Sequence, residues 1–566
     1  MRNMSQIIEG VTTDFIKQHN PLPQESACSE QVVDDVNDVL TIENTARQKG
    51  AQLKLLTDLP RLSMEILISN RDDIALVAPM DKSLVIKPSD YSTEQKVKFP
   101  LAIYQWSGRN EGVWEVITNP HGAFYELAKR YKADISDKEV SQLFMGVKLR
   151  AKVIQKCAIP YYVAVDNGIF DVKNKKLYPF SMDRVFTNKI HTPLDFSVTN
   201  PHIYFDEDGS TLDVESWFQS LGDSEFVLSI LEVIQRACIP LAKHNKMCLF
   251  YNTYGNNGKG TICQLIRNLI GNSDDVVNIP LSEFSAEFGL ANLPKATAIV
   301  CDENDMGYIK GMANLKAVIT GDSVTIKQKY QTAFDFSFNG LVLECVNELP
   351  RVDDKTKSFE RRLHIIPFSA SFTSNERKYI KGQFIYMDCV KKYILKKVLV
   401  DMEYRESFTE TSLTKSALSE YRLYSNSVHA FLEEILPRCK WNLLPATDFL
   451  YEIYKGWYRK TVPSGKVIGR NDFIDGVKEY VNSSLKENPS FEWEWTDNTR
   501  SNGYINTGVW EELLLEYKIT TMISEQQIYC RLAYPDRVKL KYSGLKRRNN
   551  VSNSKTQTSK INEREE

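Results

Sequence analysis

The chain has 566 residues, 42% hydrophobic and 25% charged, an ordinary composition for a soluble globular protein with length for roughly three to four domains. A net charge of −2 excludes a globally basic protein, so any nucleic-acid surface must be local. Ten cysteines without a CxxC or a His/Cys cluster, no apolar run near the ~18 residues of a membrane span and no signal-peptide core in residues 1–20 argue against structural zinc, a membrane span and secretion; the cytoplasm is the expected compartment.

In chain order, residues 20–50 are polar and acid-rich, with Pro21 and Pro23, and read as a leader or a loosely packed helix. Strand-like and helical patterns mix from about 52 to 245. Residues 161–172 read as a hairpin turning at Asp166-Asn167-Gly168, because Asn-Gly readily takes the positive φ of a tight turn. Residues 212–240 show helical spacing, with Phe218, Leu221, Phe226, Leu228, Leu231, Ile234 and Cys238 available for a buried face.

An apolar run at 247–251 then leads into Tyr254-Gly255-Asn256-Asn257-Gly258-Lys259-Gly260-Thr261, and helical spacing follows at Ile262, Leu265, Ile266, Leu269 and Ile270. Strand, glycine-rich turn and helix are the context of a phosphate-binding loop. Backbone N–H groups curl around phosphate oxygens, the helix N-terminus adds positive potential, and a lysine, here Lys259, reaches the β/γ-phosphates. The run departs from GxxxxGK[ST] at Thr253, in place of the first glycine, and at Gly260, in place of the Mg²⁺-binding hydroxyl. Thr261 is the next candidate for that hydroxyl. A glycine-rich turn that binds nothing is the competing reading.

Residues 298–303 read as a buried strand ending in Asp302 and Glu303. At a strand's carboxyl end the first can hold Mg²⁺ through water and the second can polarise the attacking water. A third strand, 341–347, ends in Asn347, placed to touch the γ-phosphate or that water, although a strand-ending Asn also commonly just starts a turn. Arg361 and Arg362 lead into a further apolar strand, either as a solvated pair or as an arginine offered to a neighbouring subunit's γ-phosphate. ATP and Mg²⁺ are the cofactors these elements require.

The order Gly-Lys259-Gly-Thr261, Asp302-Glu303, Asn347-Glu-Leu-Pro350 and Arg361-Arg362-Leu-x-x-x-Pro-Phe368 resembles the superfamily 3 helicases of small viruses, phages and mobile elements. Phe288-Gly-Leu-Ala-Asn-Leu-Pro294, residues 166–172 and Thr187-Asn-Lys-Ile190 are similar to the branch shared by poxvirus and satellite-phage primase-helicases. The arrangement resembles the replication-initiator helicases of staphylococcal pathogenicity islands and related cassettes, over roughly 160–370 and more weakly over 428–510. The resemblance implies an α/β fold with an AAA+ P-loop ATPase core in a hexameric ring, ATP between subunits, and an arginine finger in trans. Arg362 better matches the family position, since an apolar residue follows it, and Arg361 is the alternate. It also implies 3′→5′ travel on single-stranded DNA. The chain then divides into a leader or accessory region (1–95), an α+β N-terminal domain (96–210), a helical collar (211–245), the ATPase (246–375), a helical linker (376–427), a winged-helix domain (428–543) and a disordered tail (544–566).

Between the acidic strand and Asn347, Val324 and Ile326 and then Phe334, Phe336 and Phe338 alternate, so a hairpin is expected with Lys327 and Lys329 near its tip. In the resembling family such a hairpin grips single-stranded DNA in the pore, where the lysines would neutralise phosphate and Tyr330 would pack on sugar or base. An ordinary exposed hairpin also carries edge lysines. Further on, Phe449, Leu450, Ile453, Tyr454 and Trp457 form a helical stripe better suited to a core than to base stacking. Asn471 is a candidate cap for a second helix, and Phe491, Trp493 and Trp495 alternate into a loop that returns at Tyr504 and Ile505. Helices before a hairpin suggest a winged helix, with Lys460, Lys466 and Arg470 beside the second helix and Arg500 on the wing. Its partner is origin duplex DNA or a protein. Arg537, Lys539, Lys541, Lys546, Arg547 and Arg548 form a basic run suited to a phosphate-binding arm. Asp206-Glu207-Asp208 reads as a solvated turn rather than a primase metal site.

The function expected is an ATP-dependent DNA helicase and replication initiator of a mobile element or phage, acting on single-stranded, forked and origin DNA, with a primase or another replication protein as a further partner. The alternative is an ATP-switched DNA- or protein-binding assembly factor that does not translocate. A small-molecule kinase would have no use for the paired arginines or the C-terminal module.

Overall fold

The structure, a computed structural model, describes residues 2–19, 21–78, 91–117, 119–242, 244–252, 255–271, 275–304, 308–309, 312–329, 333–352, 357–373, 376–439, 443–446, 450–461, 467–499, 516 and 542–548. The chain forms two compact units, one of residues 1–353 and 361–415, the other of 354–360 and 416–566.

The larger unit begins with α1 (Met4–Gln18), α2 (Glu25–Thr45), α3 (Arg61–Ser69), β1 (Ile74–Ala78), α4 (Thr93–Lys98), β2 (Leu101–Tyr104), β3 (Trp114–Ile117), α5 (Ala123–Tyr131), α6 (Asp137–Arg150) and β4 (Val153–Gln155). The sheet order is β3-β2-β1-β4, and one core runs from Ile7 to Val153. The boundary expected at 95 therefore cuts a sheet, since β1 pairs with β2 across it. The leader reading of 20–50 is also corrected. α2 buries Cys28, Val32, Val36 and Leu40, a stripe at every fourth residue that its acidic remainder conceals.

β5 (Tyr162–Val165), β6 (Gly168–Asp171) and β7 (Lys176–Tyr178) form a meander that turns at Asp166-Asn167. A Cβ on Gly168 would collide with the Tyr178 carbonyl. A short hairpin of β8 (Ile203–Phe205) and β9 (Ser210–Leu212) precedes α7 (Val214–Leu221) and α8 (Ser224–Cys238). α8 is almost wholly enclosed, and its buried Arg236 donates to the carbonyls of Ile239, Asn339 and Gly340 at 3.0, 2.6 and 3.0 Å.

Beyond α8 lies a five-stranded parallel sheet of β10 (Met247–Tyr251), β11 (Val276–Val277), β12 (Ala298–Cys301), β16 (Leu341–Val346) and β18 (Leu363–Pro367), in the order β11-β12-β16-β10-β18. Its central strands are near-continuous apolar runs because both faces are covered. α9 (Lys259–Ile270) packs on one face through Ile262, Cys263, Ile266 and Leu269. The connections carry β13 (Tyr308–Ile309), α10 (Ala313–Thr320), β14 (Ser323–Ile326), β15 (Phe334–Ser337) and β17 (Arg351–Val352). After β18 come α12 (Lys378–Gly382) and α13 (Asp388–Lys396), while α11 (Lys357–Glu360) belongs to the smaller unit and α14 (Ser412–Ser425) spans the division at 415.

The smaller unit contains α15 (Ser427–Ile435), β19 (Leu443–Pro445), α16 (Tyr451–Thr461), α17 (Arg470–Glu487), β20 (Trp493–Thr499) and β21 (Tyr542–Arg547), with an antiparallel sheet in the order β19-β21-β20. Its core is the aromatic stripe: Tyr454, Trp457, Phe473 and Trp493 close on Phe431 and Leu545. Asn471 is not the cap of α17, because the helix starts at Arg470 after Gly469. β20 pairs with β21, while Phe449, Tyr504 and Ile505 lie outside the described residues. The boundary at 544 falls inside β21, whose Leu545 is fully buried; one leucine in a basic run was too little signal for a strand. Residues 549–566, the rest of the expected tail, lie outside the described residues. Among the described residues no helix is long and apolar enough to cross a membrane.

Leu545→Ala should lower the stability of the smaller unit by about 3 kcal/mol. The measurement is amide exchange across α16 and α17 in the full chain, which should speed up while α9 stays protected.

Candidate nucleotide-binding site

After β10 the chain bends into α9 through Asn256 at φ +53° and Gly258 at φ +91°, both left-handed. Asn tolerates that region and glycine has no Cβ to forbid it. Gly258 offers no side-chain cap to the first turn of α9. The Lys259 N–H reaches Asn257 Oδ1 at 3.4 Å. Gly255 is exposed, Gly260 and Thr261 are half-buried, and the Thr261 N–H bonds Gly258 O at 3.1 Å. Thr253 and Tyr254 lie outside the described residues.

Lys259 opens α9 and turns its side chain across the sheet end. Its Nζ donates to Asn347 Oδ1 at 3.0 Å, Asn252 O at 3.2 Å and Val346 O at 3.4 Å. Burial pushes its pKa down. β16 lies between β10 and β12, so the loop, Asn347 and the Asp302-Glu303 pair share one edge of the sheet. That carboxyl edge is where open parallel sheets bind ligands. Asp302 is paired with Arg267 of α9 at 3.1 Å, and the same guanidinium bonds Val300 O at 2.7 Å. Glu303 is exposed, and among the described residues its carboxylate has no hydrogen bond or ion pair.

Two features below this edge escaped the sequence reading. Asn304 joins three segments: Nδ2 donates to Glu344 Oε2 at 2.8 Å and Cys345 O at 3.0 Å, while Oδ1 accepts from Leu281 N at 2.9 Å. Glu344 is wholly buried, and burial pushes its carboxyl up to about 8. Its signal was present as one charged residue inside the apolar run of β16. Cys263 and Cys345, also buried, bring their sulfurs to 3.3 Å between α9 and β16.

Arg361 and Arg362 stand at the other end of the sheet. β18 runs parallel to β10 with Leu363 beside Met247, and Arg362 O accepts from Met247 N at 2.7 Å. Five strand residues, on the order of 16 Å, separate them from the phosphate loop.

The hairpin β14–β15 has Val324 opposite Phe336 and Ile326 opposite Phe334. Lys329 is exposed, Lys327 pairs with Glu287 at 3.1 Å, and Gln328 Nε2 donates to Ala291 O at 2.8 Å. Tyr330 lies outside the described residues, as do Lys466 and Arg500. In the smaller unit Lys460 pairs with Glu516 at 3.1 Å, and Arg470 lies over the Tyr451 ring at 5.5 Å. From the basic run, Arg547 donates to Cys439 O and lies over Trp493, and Arg548 donates to Pro489 O, so both brace the fold. Among the described residues no group of three His, Cys, Asp or Glu side chains is placed to hold a metal.

A protein-family model described as a family of unknown function, DUF5906, matches residues 250–362, the stretch from the glycine-rich loop to the arginines. The chain is similar to the apo A form of the NrS-1 C-terminal region at 10% identity and a TM-score of 0.42, covering 78% of this chain and 96% of that one. A second apo A-form structure, of residues 305–718 of NrS-1, gives 12% identity and a TM-score of 0.40, over 79% and 94%.

The unfolded Glu344 carboxyl ionises near 4.5 while the folded one keeps its proton to about 8, so the native state loses stability as pH climbs through that window. Glu344→Gln removes the loss. Its melting temperature should exceed the parent's by a few degrees at pH 8 and approach it near pH 5; an equal gap at both would contradict a buried neutral carboxyl.

Proposed function

We propose that this protein is an ATP-dependent DNA helicase and replication initiator of a phage or mobile element, acting as a ring of identical subunits in the cytoplasm. One observation carries the reading. Lys259, Asn347 and Glu303 follow the carboxyl ends of three adjacent parallel strands, Lys259 at the start of α9, while Arg361 and Arg362 precede β18 at the opposite end of the sheet. A ring suits that division, since one subunit supplies the phosphate loop and the next a guanidinium. In this reading the N–H groups of 255–261 cradle the phosphates, and Lys259 exchanges its carbonyl partners for β/γ oxygens. Glu303 polarises the attacking water and Asn347 orients it. Thr261 and Asp302 are the candidate Mg²⁺ ligands, and Asp302 must give up Arg267 to serve. The helices and three-stranded antiparallel sheet of the smaller unit support a winged helix for origin DNA, with α17 in the major groove. Travel is 3′→5′, as the family resemblance implies.

The Lys327–Glu287 ion pair favours a second reading, a DNA- or protein-binding assembly factor switched by ATP, because a tied lysine is not free to grip a moving strand.

Lys259→Ala and Glu303→Gln should each lower ATP hydrolysis about 10²–10⁴-fold and abolish strand separation on forked DNA. Unwinding that survives both ends the helicase reading. Lys327→Ala with Lys329→Ala should lose unwinding and keep DNA-independent ATPase; if parent and variant bind DNA equally and neither separates strands, the assembly reading stands. Mixing Lys259→Ala chains with chains changed at Arg361 and Arg362 should restore part of the turnover, and no recovery would argue against shared pockets.

A further inference from the structure

We infer that Lys381 is a second phosphate-binding cation of the nucleotide site, delivered by α12 into the space that Gly260 leaves open. The inference rests on the nucleotide-binding reading above. Residue 260 is where GxxxxGK[ST] loops carry the hydroxyl that faces the metal and the phosphates. A Cβ built on Gly260 would lie 3.5 Å from Lys381 Nζ, so an ammonium stands in the direction the missing side chain would take. Lys381 is exposed and, among the described residues, has no hydrogen bond or ion pair. A compact, strongly charged ammonium binds phosphate oxygens as a point charge without demanding one geometry.

The backbone that carries this lysine is held in place by its neighbours. The Phe372 N–H donates to Asn256 O at 2.9 Å, laying the segment before α12 along the phosphate loop. The Tyr379 ring stacks on Phe205 at 4.1 Å, and its hydroxyl donates to Asp208 Oδ2 at 2.8 Å. Arg377 pairs with the same carboxylate at 3.3 Å, and Gln383 Nε2 donates to Glu207 Oε1 at 3.2 Å. The acidic turn 206–208, expected to be only solvated, thus holds α12 from its outer side. Two residues past Tyr379, Lys381 is directed to α9. Gly260 gives up a hydroxyl ligand, and the ammonium supplies charge in its place.

The test measures equilibrium binding of a fluorescent ATP analogue and of AMP to the full chain, with Mg²⁺ and in EDTA. Lys381→Ala should weaken ATP roughly tenfold or more, most clearly in EDTA, leave AMP unchanged, and be largely rescued by Lys381→Arg; the exposed position leaves the melting temperature at the parent value. Parent-like ATP binding by Lys381→Ala, with Lys259→Ala impaired, overturns this inference alone. An equal loss for ATP and AMP also overturns it, since the residue would then shape the pocket rather than meet the outer phosphates. Parent-like binding by Lys259→Ala as well overturns the nucleotide-site reading with it.

Discussion

Lys259 crosses from the start of α9 to Asn347 at the end of β16, and the candidate site is arranged around that 3.0 Å bond. It exists because β10 and β16 are parallel neighbours with Tyr251 beside Val346, which brings their carboxyl ends level. Shift that register by one residue and Asn347 leaves the reach of the ammonium while the Glu344 carboxyl turns to the opposite face. The register is protected from below by the Asn304 amide, which binds β16 and the segment after β12 into one block. The candidate site therefore rests on a fixed strand register, with the charge carried by side chains and the placement carried by strands.

The sheet has a polarity that its side chains exploit. At one edge stand the glycine-rich loop and the acids; at the other stand two arginines, Arg362 held by its backbone bond to Met247. Within the chain these groups are separated by the length of β10.

Much of the larger unit was readable because its signals are local. A glycine-rich turn between an apolar run and helical spacing, acids after an apolar run, and Asn-Gly in a hairpin each depend on a few adjacent residues. The alternation of Val324, Ile326, Phe334 and Phe336 marked the hairpin, whose pairing sets Val324 opposite Phe336 and Ile326 opposite Phe334. What failed depended on distant partners. A helix was one of two readings for 20–50, but the packing of α2 was hidden because its buried stripe, Cys28, Val32, Val36 and Leu40, is sparse within an acid-rich sequence. β21 was hidden because a strand with a single fully buried leucine makes sense only beside β19 and β20. The Asp302–Arg267 pair and the Asp208 clamp on α12 join residues 35 and 171 positions apart, and no window along the chain displays such pairs.

The guanidinium of Arg236 has a mechanical meaning. It is enclosed in α8 and grips the carbonyls of Asn339 and Gly340, the joint between β15 and β16. A buried hydrogen-bonded cation is costly to strip of its partners, and a Cβ on Gly340 would strike the Thr297 carbonyl, so the joint admits neither stretch nor bulk. It pins the hairpin's last strand to α8 at the point where β16 begins, one strand length before Asn347.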